Sequence, residues 1–300
     1  MRFNPRARLD RGQVSDRRGR AGPGFPVGGR RGGIRIGGGI GGILVLLVIV
    51  LVFGGNVLDG GTVGPAGEPQ AGSGLQSCRT GADANRRQDC ALLADVNSIQ
   101  AFWHRALPRQ AGVGYTAART ELFSGQVRTG CGVADSGVGP FYCPVDDTVY
   151  LDPSFFREML QGRLGARGGK FSWAYVLAHE YGHHVQDLLG TMGRVRTQRG
   201  PDSDAVRLEL QADCYAGIWT GSVRHAQGRS LVVGLTPRDV ADALDAARAV
   251  GDDRIQQRTT GDVDPDQWTH GSAAERMRWF RTGLRHGTLG ACDTFAARRL

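Results

Sequence analysis

Apolar residues are spread unevenly along the chain, and their densest run lies near the N-terminus. Residues 36–55 read IGGGIGGILVLLVIVLVFGG and contain no charged or strongly polar side chain. Twenty helical residues span about 30 Å, the thickness of the hydrocarbon core of a bilayer. The pattern predicts an uncleaved transmembrane anchor at residues 36–55. A cleaved signal peptide is the alternative, which we disfavour because some 35 residues precede the run and no small-residue cleavage pattern closely follows it.

Beyond residue 77, apolar residues recur at the spacing of amphipathic helices, and cap and stop residues set the limits of these helices. Predicted helices cover residues 93–103 (ended by Pro108), 153–160, 172–190 (begun by Ser172), 205–225, 236–251 (begun by a capping pattern at Thr236) and 272–285 (begun by a capping box at Ser272). Residues 121–128 and 148–151 are predicted strands, separated by glycine-rich turns. The order of elements predicts an α+β fold that is mostly helical, with a small sheet contributed early.

Composition separates the N-terminal quarter from the rest of the chain. Residues 1–75 hold 21 of the 47 glycines, and this quarter is too rich in Gly, Pro and Arg to bury a core. We therefore predict an Arg/Gly-rich tail at residues 1–35 and a flexible linker at residues 56–77, on either side of the anchor. The folded domain is predicted at residues 78–300, which is long enough for one sizeable core.

The formal charge of +8 belongs to the predicted tail. Residues 1–36 hold ten arginines and two acids, which leaves 27 basic and 27 acidic residues for positions 37–300. The folded part offers no excess charge to a polyanion, so we predict no nucleic-acid partner. An Arg-rich flank before an apolar run stays in the cytoplasm. The charge therefore predicts a single-pass cell-membrane protein, bound to the lipid bilayer through residues 36–55, with its folded domain outside the cytoplasm.

Cysteine usage agrees with export. All six cysteines follow the anchor, and an even number in an exported domain suggests disulfides. Six cysteines allow 15 pairings. Local spacing favours two pairs twelve residues apart and leaves a third, with free buried thiols as the alternative. The favoured pairs are Cys78–Cys90, Cys131–Cys143 and Cys214–Cys292.

The strongest chemical signal is the run His179-Glu180-Tyr181-Gly182-His183, which has the H-E-x-x-H spacing. Two histidines four residues apart lie on one helical face and can bind one zinc ion. Glu180 lies beside them, where it can act as a general base. With seven His and six Glu in the chain, a random match has a probability of roughly three in a thousand. The alternative is a helix with ordinary core or surface histidines.

A catalytic zinc needs a third protein ligand and leaves its fourth position to water. The next predicted helix carries Glu209 and Asp213, which share a face and are surrounded by apolar residues. Burying two acids among apolar side chains requires a cation nearby. We predict that Glu209 binds zinc and that Asp213 accepts the other ring N–H of a histidine ligand, His179. A solvated acidic face is the alternative.

The chain resembles the glutamate-type zincins and, more narrowly, the bacterial neutral zinc metallopeptidase family. The resemblance covers nearly the whole chain and is carried by residues 16–19 (DRRG), 139–144 (GPFYCP), 149–152 (VYLD), 174–186 (AYVLAHEYGHHVQ), 209–217 (ELQADCYAG) and 270–272 (HGS). It implies a zincin-like metallopeptidase domain attached to a membrane. Because a later His or Tyr can stabilise the oxyanion in zincins, His270 is a further catalytic candidate. A structural or exposed histidine is the equal alternative.

Three further residues have weaker claims on the site. Tyr150 lies on a predicted strand whose edge could pair with a bound substrate, but a core tyrosine is the favoured interpretation. His184 points about 100° away from His183, so it is not expected to bind the same zinc. Asp187 could support His183 from one turn later, although a solvated carboxylate is favoured.

The sequence thus predicts a membrane-anchored, zinc-dependent endopeptidase with one Zn²⁺ per chain and a peptide or protein substrate. His179, His183 and Glu209 are the predicted ligands, and Glu180 is the predicted base. The alternative is an exported, zinc-stabilised binding or scaffold protein that cleaves nothing. Glu180 argues against it, because a purely structural zinc has four protein ligands and needs no base.

Overall fold

The computed structural model of the chain describes residues 1–19, 74–225 and 231–300. The strands in these ranges are β1 (Arg2–Phe3), β2 (Val14–Asp16), β3 (Arg119–Leu122), β4 (Gln126–Thr129), β5 (Gly132–Asp135), β6 (Phe141–Cys143), β7 (Thr148–Leu151) and β8 (Val232–Gly234). The α-helices are α1 (Gly81–Arg86), α2 (Gln88–Ala111), α3 (Lys170–Leu188), α4 (Asp204–His225), α5 (Pro237–Ala249), α6 (Asp252–Thr259) and α7 (Ala273–His286). This confirms an α+β fold that is mostly helical.

The largest sheet lies against the helix that carries H-E-x-x-H. Its four strands have the order β2-β3-β7-β6. Strands β2, β3 and β7 are parallel, whereas β6 runs antiparallel to β7. The hydroxyl groups of Thr120 on β3 and Tyr181 on α3 are 2.7 Å apart and share a buried hydrogen bond. Two shorter antiparallel pairs, β4–β5 and β1–β8, complete the strands described.

Two glycines allow the helices around the site to approach closely. A Cβ atom at Gly182 on α3 would lie 3.0 Å from the backbone of Ala212 on α4. A Cβ atom at Gly283 on α7 would lie 1.8 Å from the carbonyl oxygen of Cys214, also on α4. Only a residue without a side chain fits the second contact. Helix α4 therefore lies between α3 and α7, and it brings its acids within reach of both.

Residues 1–19 belong to the folded domain. Strand β2 extends the main sheet by pairing with β3, and β1 pairs with β8. The prediction of a separate tail over residues 1–35 is therefore wrong for residues 1–19. Composition averaged over 75 residues concealed three apolar side chains that are less than a tenth exposed, namely Phe3, Leu9 and Val14.

The predicted anchor, residues 36–55, lies outside the described residues. So does the predicted linker at residues 56–77, except for residues 74–77, which form a 3-10 turn. Within residues 1–19, 74–225 and 231–300, no helix combines the length and the apolar character that a membrane crossing requires.

Some predicted boundaries are wrong for local reasons. The strand predicted at residues 121–128 is divided, because Gly125 adopts a positive φ of 78° and β4 then pairs in a different sheet. Helix α2 continues past Pro108 to Ala111, since a proline removes only one hydrogen bond in this exposed last turn. The short helix predicted at residues 153–160 is a π-helical segment at Phe156–Arg163.

Of three predicted N-cap residues, two begin their helices and one does not. Ser172 does not begin α3: it is buried within the helix, and its hydroxyl donates to the carbonyl oxygen of Asp242. The capping boxes at the starts of α5 and α7 are confirmed, with Thr236 and Ser272 as the N-cap residues. Local capping chemistry was therefore readable where the N-cap side chain had no competing tertiary partner.

All three predicted disulfides are present. The bonds Cys78–Cys90 and Cys131–Cys143 each close a separation of 12 residues, and Cys214–Cys292 closes one of 78. The six cysteines are all paired, and the alternative of free buried thiols is wrong. The third bond ties α4, one residue beyond Asp213, to the C-terminal segment.

Candidate metal centre

Helices α3 and α4 bring three ligand atoms to one point. The Nε2 atom of His179 lies 3.1 Å from Oε2 of Glu209, and the Nε2 atom of His183 lies 3.4 Å from Oε1 of the same carboxylate. One ligand atom from each of the three residues lies within 4.8 Å of the others, and all three residues are buried. Two imidazole nitrogens and one carboxylate oxygen are a donor set that fits zinc and leaves one tetrahedral position open.

Both imidazole rings are held so that Nε2 faces this point. The Nδ1 atom of His179 lies 2.9 Å from Oδ1 of Asp213, a carboxylate that can only accept. The Nδ1 atom of His183 lies 2.9 Å from Oε1 of Gln186. The amide nitrogen of Gln186 donates to the carbonyl oxygen of Leu208, so its oxygen is left to accept. Each ring therefore donates from Nδ1 and presents Nε2 as a free ligand.

The charges around the ligands attract a cation. Burial lowers the pKa of His179, but Asp213 and Glu209 outweigh this effect and raise it to about 10. Burial raises the pKa of Glu209, yet His183 and His270 hold it well below the usual range. Both acids are therefore ionised, and the Nε2 side of His179 attracts positive charge in the form of a proton or a metal ion.

Glu180 lies beside the ligands without belonging to them. It is buried, and its Oε2 atom has no hydrogen-bond partner among the described residues. Burial raises the pKa of Glu180, and the two neighbouring histidines oppose that rise. A carboxylate with one free oxygen and a raised pKa is suited to accept a proton from water in the same cavity.

His270 also lines this cavity, although it comes from a later part of the chain. It shares the lining with His179, Glu180, His183 and Glu209. Its Nδ1 atom lies 3.1 Å from Oδ1 of Asp252, a partner that sequence reasoning missed. The position supports the catalytic candidacy of His270 over an exposed histidine.

The cavity, of about 100 Å³, is lined by apolar as well as polar residues. The apolar ones include Pro140, Phe155, Val176 and Val250. Such a surface can receive an apolar side chain while the polar groups act on the adjoining backbone.

The weaker candidates lie elsewhere. Tyr150 is a core tyrosine on β7, an inner strand with no free edge, and its hydroxyl donates to Asp146. His184 is not a ligand: its Nε2 atom lies 2.7 Å from the carbonyl oxygen of Thr116. Asp187 does not support His183, because it accepts a hydrogen bond from Tyr142 instead.

Sequence reasoning missed Gln186, Tyr175 and Asp252. Gln186 follows His183 by three residues on one helix, a spacing that places side chains together, so a local signal was available. Tyr175 also precedes His179 by one turn, and its hydroxyl donates to Asp213 over 2.5 Å. Asp252 had no such signal, since it lies 18 residues from His270, at the start of α6.

Two histidines and a glutamate converge on one point, with a second buried glutamate beside them, and form a candidate metal site. The family model described as "Putative neutral zinc metallopeptidase" matches residues 1–295. The chain belongs to this family. The match begins at residue 1, in agreement with the packing of residues 1–19 into the domain.

Individual relatives cover most of the chain. It is 52% identical over 231 residues to the protein Rv2575 of Mycobacterium tuberculosis, a match that covers 75% of this chain and 77% of the relative. It is 40% identical over 304 residues to YpfJ of Escherichia coli K12, covering 98% of this chain and 99% of the relative. Both are described as uncharacterized proteins. No solved structure matches the chain significantly, so the zincin-like fold stays a prediction.

Proposed function

We propose that this chain is a zinc-dependent peptidase in which His179, His183 and Glu209 hold one zinc ion. The observation that carries the proposal is the convergence of their ligand atoms within 4.8 Å. The unpartnered carboxylate oxygen of Glu180 in the same cavity supports a catalytic role over a purely structural one.

Each residue of the site has its own role in the proposed hydrolysis of a peptide bond. Zinc held at this site would supply Lewis-acid polarisation of a carbonyl group and a lowered pKa for water. Glu180 accepts the proton of the attacking water and returns it to the leaving amine. The Nε2–H of His270 faces the cavity and donates to the carbonyl oxygen as negative charge develops there. Asp213 and Gln186 keep the two histidine ligands in the tautomer that binds metal.

An endopeptidase is the type of peptidase that the cavity favours. Among the described residues lining it, Arg276 is the only side chain with a permanent positive charge. The guanidinium of Arg276 already donates to Asp213. It is therefore not free to bind the carboxylate at the end of a peptide. We therefore expect cleavage of peptides whose two ends are blocked by acetylation and amidation.

Zinc quantitation and peptide cleavage of the same preparations test the proposal. The wild type should bind one zinc per chain and cleave members of a blocked peptide library. Glu180→Gln should keep the zinc and lose cleavage. Glu158→Gln is the matched control, because it makes the same chemical change at a side chain that is 64% exposed.

Two results would contradict the proposal. A wild type that binds no zinc would remove the metal site. A wild type that binds zinc and cleaves nothing across the library would favour the alternative, an exported binding or scaffold protein stabilised by the metal.

A separate proposal concerns the side of the membrane on which the folded domain lies. The three disulfides support an extracytoplasmic domain. A single membrane crossing at residues 36–55, however, would put residues 1–19 and residues 74–300 on opposite sides, whereas they pack together in the fold. A single crossing and this packing exclude each other in one molecule.

Cysteine labelling in intact cells distinguishes the two arrangements. Arg6→Cys and Arg281→Cys place exposed thiols on residues of the two segments. An impermeant maleimide should label both or neither if the segments share one side of the membrane. Labelling of Arg281→Cys alone would support the single crossing.

A further inference from the structure

Arg276 is a buried cation on α7 that lines the cavity of the candidate metal centre. Its side chain is 4% exposed. Its Nε and Nη2 atoms donate to the two carboxylate oxygens of Asp213 over 2.8 and 3.1 Å, in a two-pronged ion pair. A planar guanidinium in this geometry fixes both the position and the rotation of a carboxylate.

The rotation of Asp213 decides how it meets the zinc ligand. Its Oδ1 atom accepts from His179 Nδ1 over 2.9 Å and from the Tyr175 hydroxyl over 2.5 Å. Among the described residues, Arg276 is the only partner of its Oδ2 atom. Without the guanidinium, this side of a completely buried carboxylate would have no donor, and the carboxylate would be free to turn away from His179.

A third contact connects Arg276 to the other side of the cavity. Its Nη1 atom donates to the carbonyl oxygen of Val250 over 3.1 Å. Val250 ends α5 and precedes Asp252 by two residues, and Asp252 holds His270. One guanidinium thus contacts the support of a zinc ligand and the segment that supports the candidate oxyanion donor.

We propose that Arg276 is a positioning residue for the metal site. It holds Asp213 so that His179 presents Nε2 to the zinc, and it holds the segment at Val250 so that His270 faces the same cavity. The proposal rests on the zinc site of the proposed function but does not require that the site cleave peptides. Lysine cannot replace the arginine, because a single ammonium group cannot contact both carboxylate oxygens and the Val250 carbonyl in this geometry.

The test compares Arg276→Lys and Arg276→Met with the wild type in the full chain. Zinc affinity is measured by competition with a chelator, and the ligand geometry is followed by the visible absorption of the cobalt-substituted protein. Both variants should bind zinc about 10–100-fold more weakly, the loss typical of removing the partner of a metal-binding histidine. The cobalt spectrum should change, and any peptidase activity should fall in kcat more than it rises in KM.

Arg281→Lys and Arg281→Met are the matched controls, since Arg281 is an exposed residue of the same helix. Circular dichroism of the metal-free proteins shows whether each variant is folded, and Arg276→Lys decides the question if Arg276→Met does not fold. A folded Arg276→Lys with wild-type zinc affinity and cobalt spectrum would overturn the proposal.

The wild-type arm separates this proposal from the proposed function. A wild type that binds zinc without cleaving peptides contradicts the peptidase and leaves the role of Arg276 to be decided by the affinities. A wild type that binds neither zinc nor cobalt overturns both.

Discussion

Asp252 fixes His270 at the edge of the cavity through a 3.1 Å contact between Oδ1 and Nδ1. The other carboxylate oxygen of Asp252 accepts hydrogen bonds from the three consecutive backbone N–H groups of residues 269–271. The carboxylate therefore cannot rotate without losing all three bonds. Burial lowers the pKa of His270, but Asp252 and Glu209 outweigh this effect and raise it above its ordinary value.

This relationship predicts a pH effect of Asp252→Asn. A raised pKa keeps His270 protonated to higher pH, so losing the carboxylate should move the alkaline fall of kcat/KM to lower pH. His270→Ala should lower kcat by about 10²–10³-fold, the cost of losing one donor to an oxyanion, while zinc stays bound. The measurements are pH–rate profiles and zinc content. The exposed Asp266→Asn is the control, and an unchanged alkaline limb in Asp252→Asn would contradict the prediction.

The packing of the N-terminal residues predicts that Phe3→Ala destabilises the whole domain. Phe3 is 2% exposed and belongs to the main core, so its truncation should lower the free energy of unfolding by roughly 3–5 kcal/mol. Arg6→Ala, an exposed change three residues away, should stay within about 0.5 kcal/mol of the wild type. Urea unfolding measures both. Equal stability of Phe3→Ala and Arg6→Ala would mean that residues 1–19 do not contribute to the folded core.

A buried acid in α2 predicts an unusual dependence of stability on pH. Asp95 is fully buried, and neither of its carboxylate oxygens has a partner among the described residues. Burial raises the pKa of Asp95 well above its ordinary value of 3.8. The folded state therefore binds this proton more tightly than the unfolded state does. The resulting stabilisation is complete below the unfolded pKa and is lost as the pH rises towards the folded pKa.

Asp95→Asn removes this ionisation with little change in shape. At pH 8 it should raise the free energy of unfolding relative to the wild type, by about 1.4 kcal/mol for each pH unit below 8 that separates the unfolded from the folded pKa of Asp95. At pH 4 the difference should be smaller. Thermal unfolding at the two pH values measures this, with the exposed Asp262→Asn as the control. Parallel pH profiles for wild type and Asp95→Asn would show that Asp95 does not carry the effect.

The disulfides predict an order of stability losses. Replacing Cys214 and Cys292 together by serine should cost about 4–5 kcal/mol, because their bond closes a long loop. The same change at Cys131 and Cys143 should cost about 3 kcal/mol, because that loop is short. The sequence separations are 78 and 12 residues. Denaturant unfolding of both double variants tests the order, and a larger loss for the short loop would contradict it.

The candidate site was predictable wherever its geometry is local. His179 and His183 share a face because four residues make about one helical turn, whatever the rest of the chain does. Glu209 and Asp213 were found by the same period on the next helix, once the histidines indicated a metal. The capping boxes at Ser272 and Thr236 were readable for the same reason.

The parts that were missed or wrong depend on distant partners. Phe3 shows no periodic pattern, and it is buried only because β1 meets β8 more than two hundred residues later. Ser172 resembles an N-cap residue in the sequence, but in the structure its hydroxyl donates to the carbonyl oxygen of Asp242. The role of Arg276 is likewise not visible in any local pattern. Its two carboxylate contacts require α7 to lie against α4, where Gly283 leaves room for the backbone of Cys214.

The sequence by itself determined which donor atoms exist and how they are spaced along each helix, because covalent geometry and the helical repeat fix those relations within a few residues. It also favoured the disulfide pairs that the structure shows, because the two short separations left only one further pair. Only the tertiary structure decided which groups meet across elements: Asp252 with His270, Arg276 with Asp213, and residues 1–19 with the main sheet. Those contacts follow from burial and close packing of the whole chain, which no local pattern encodes.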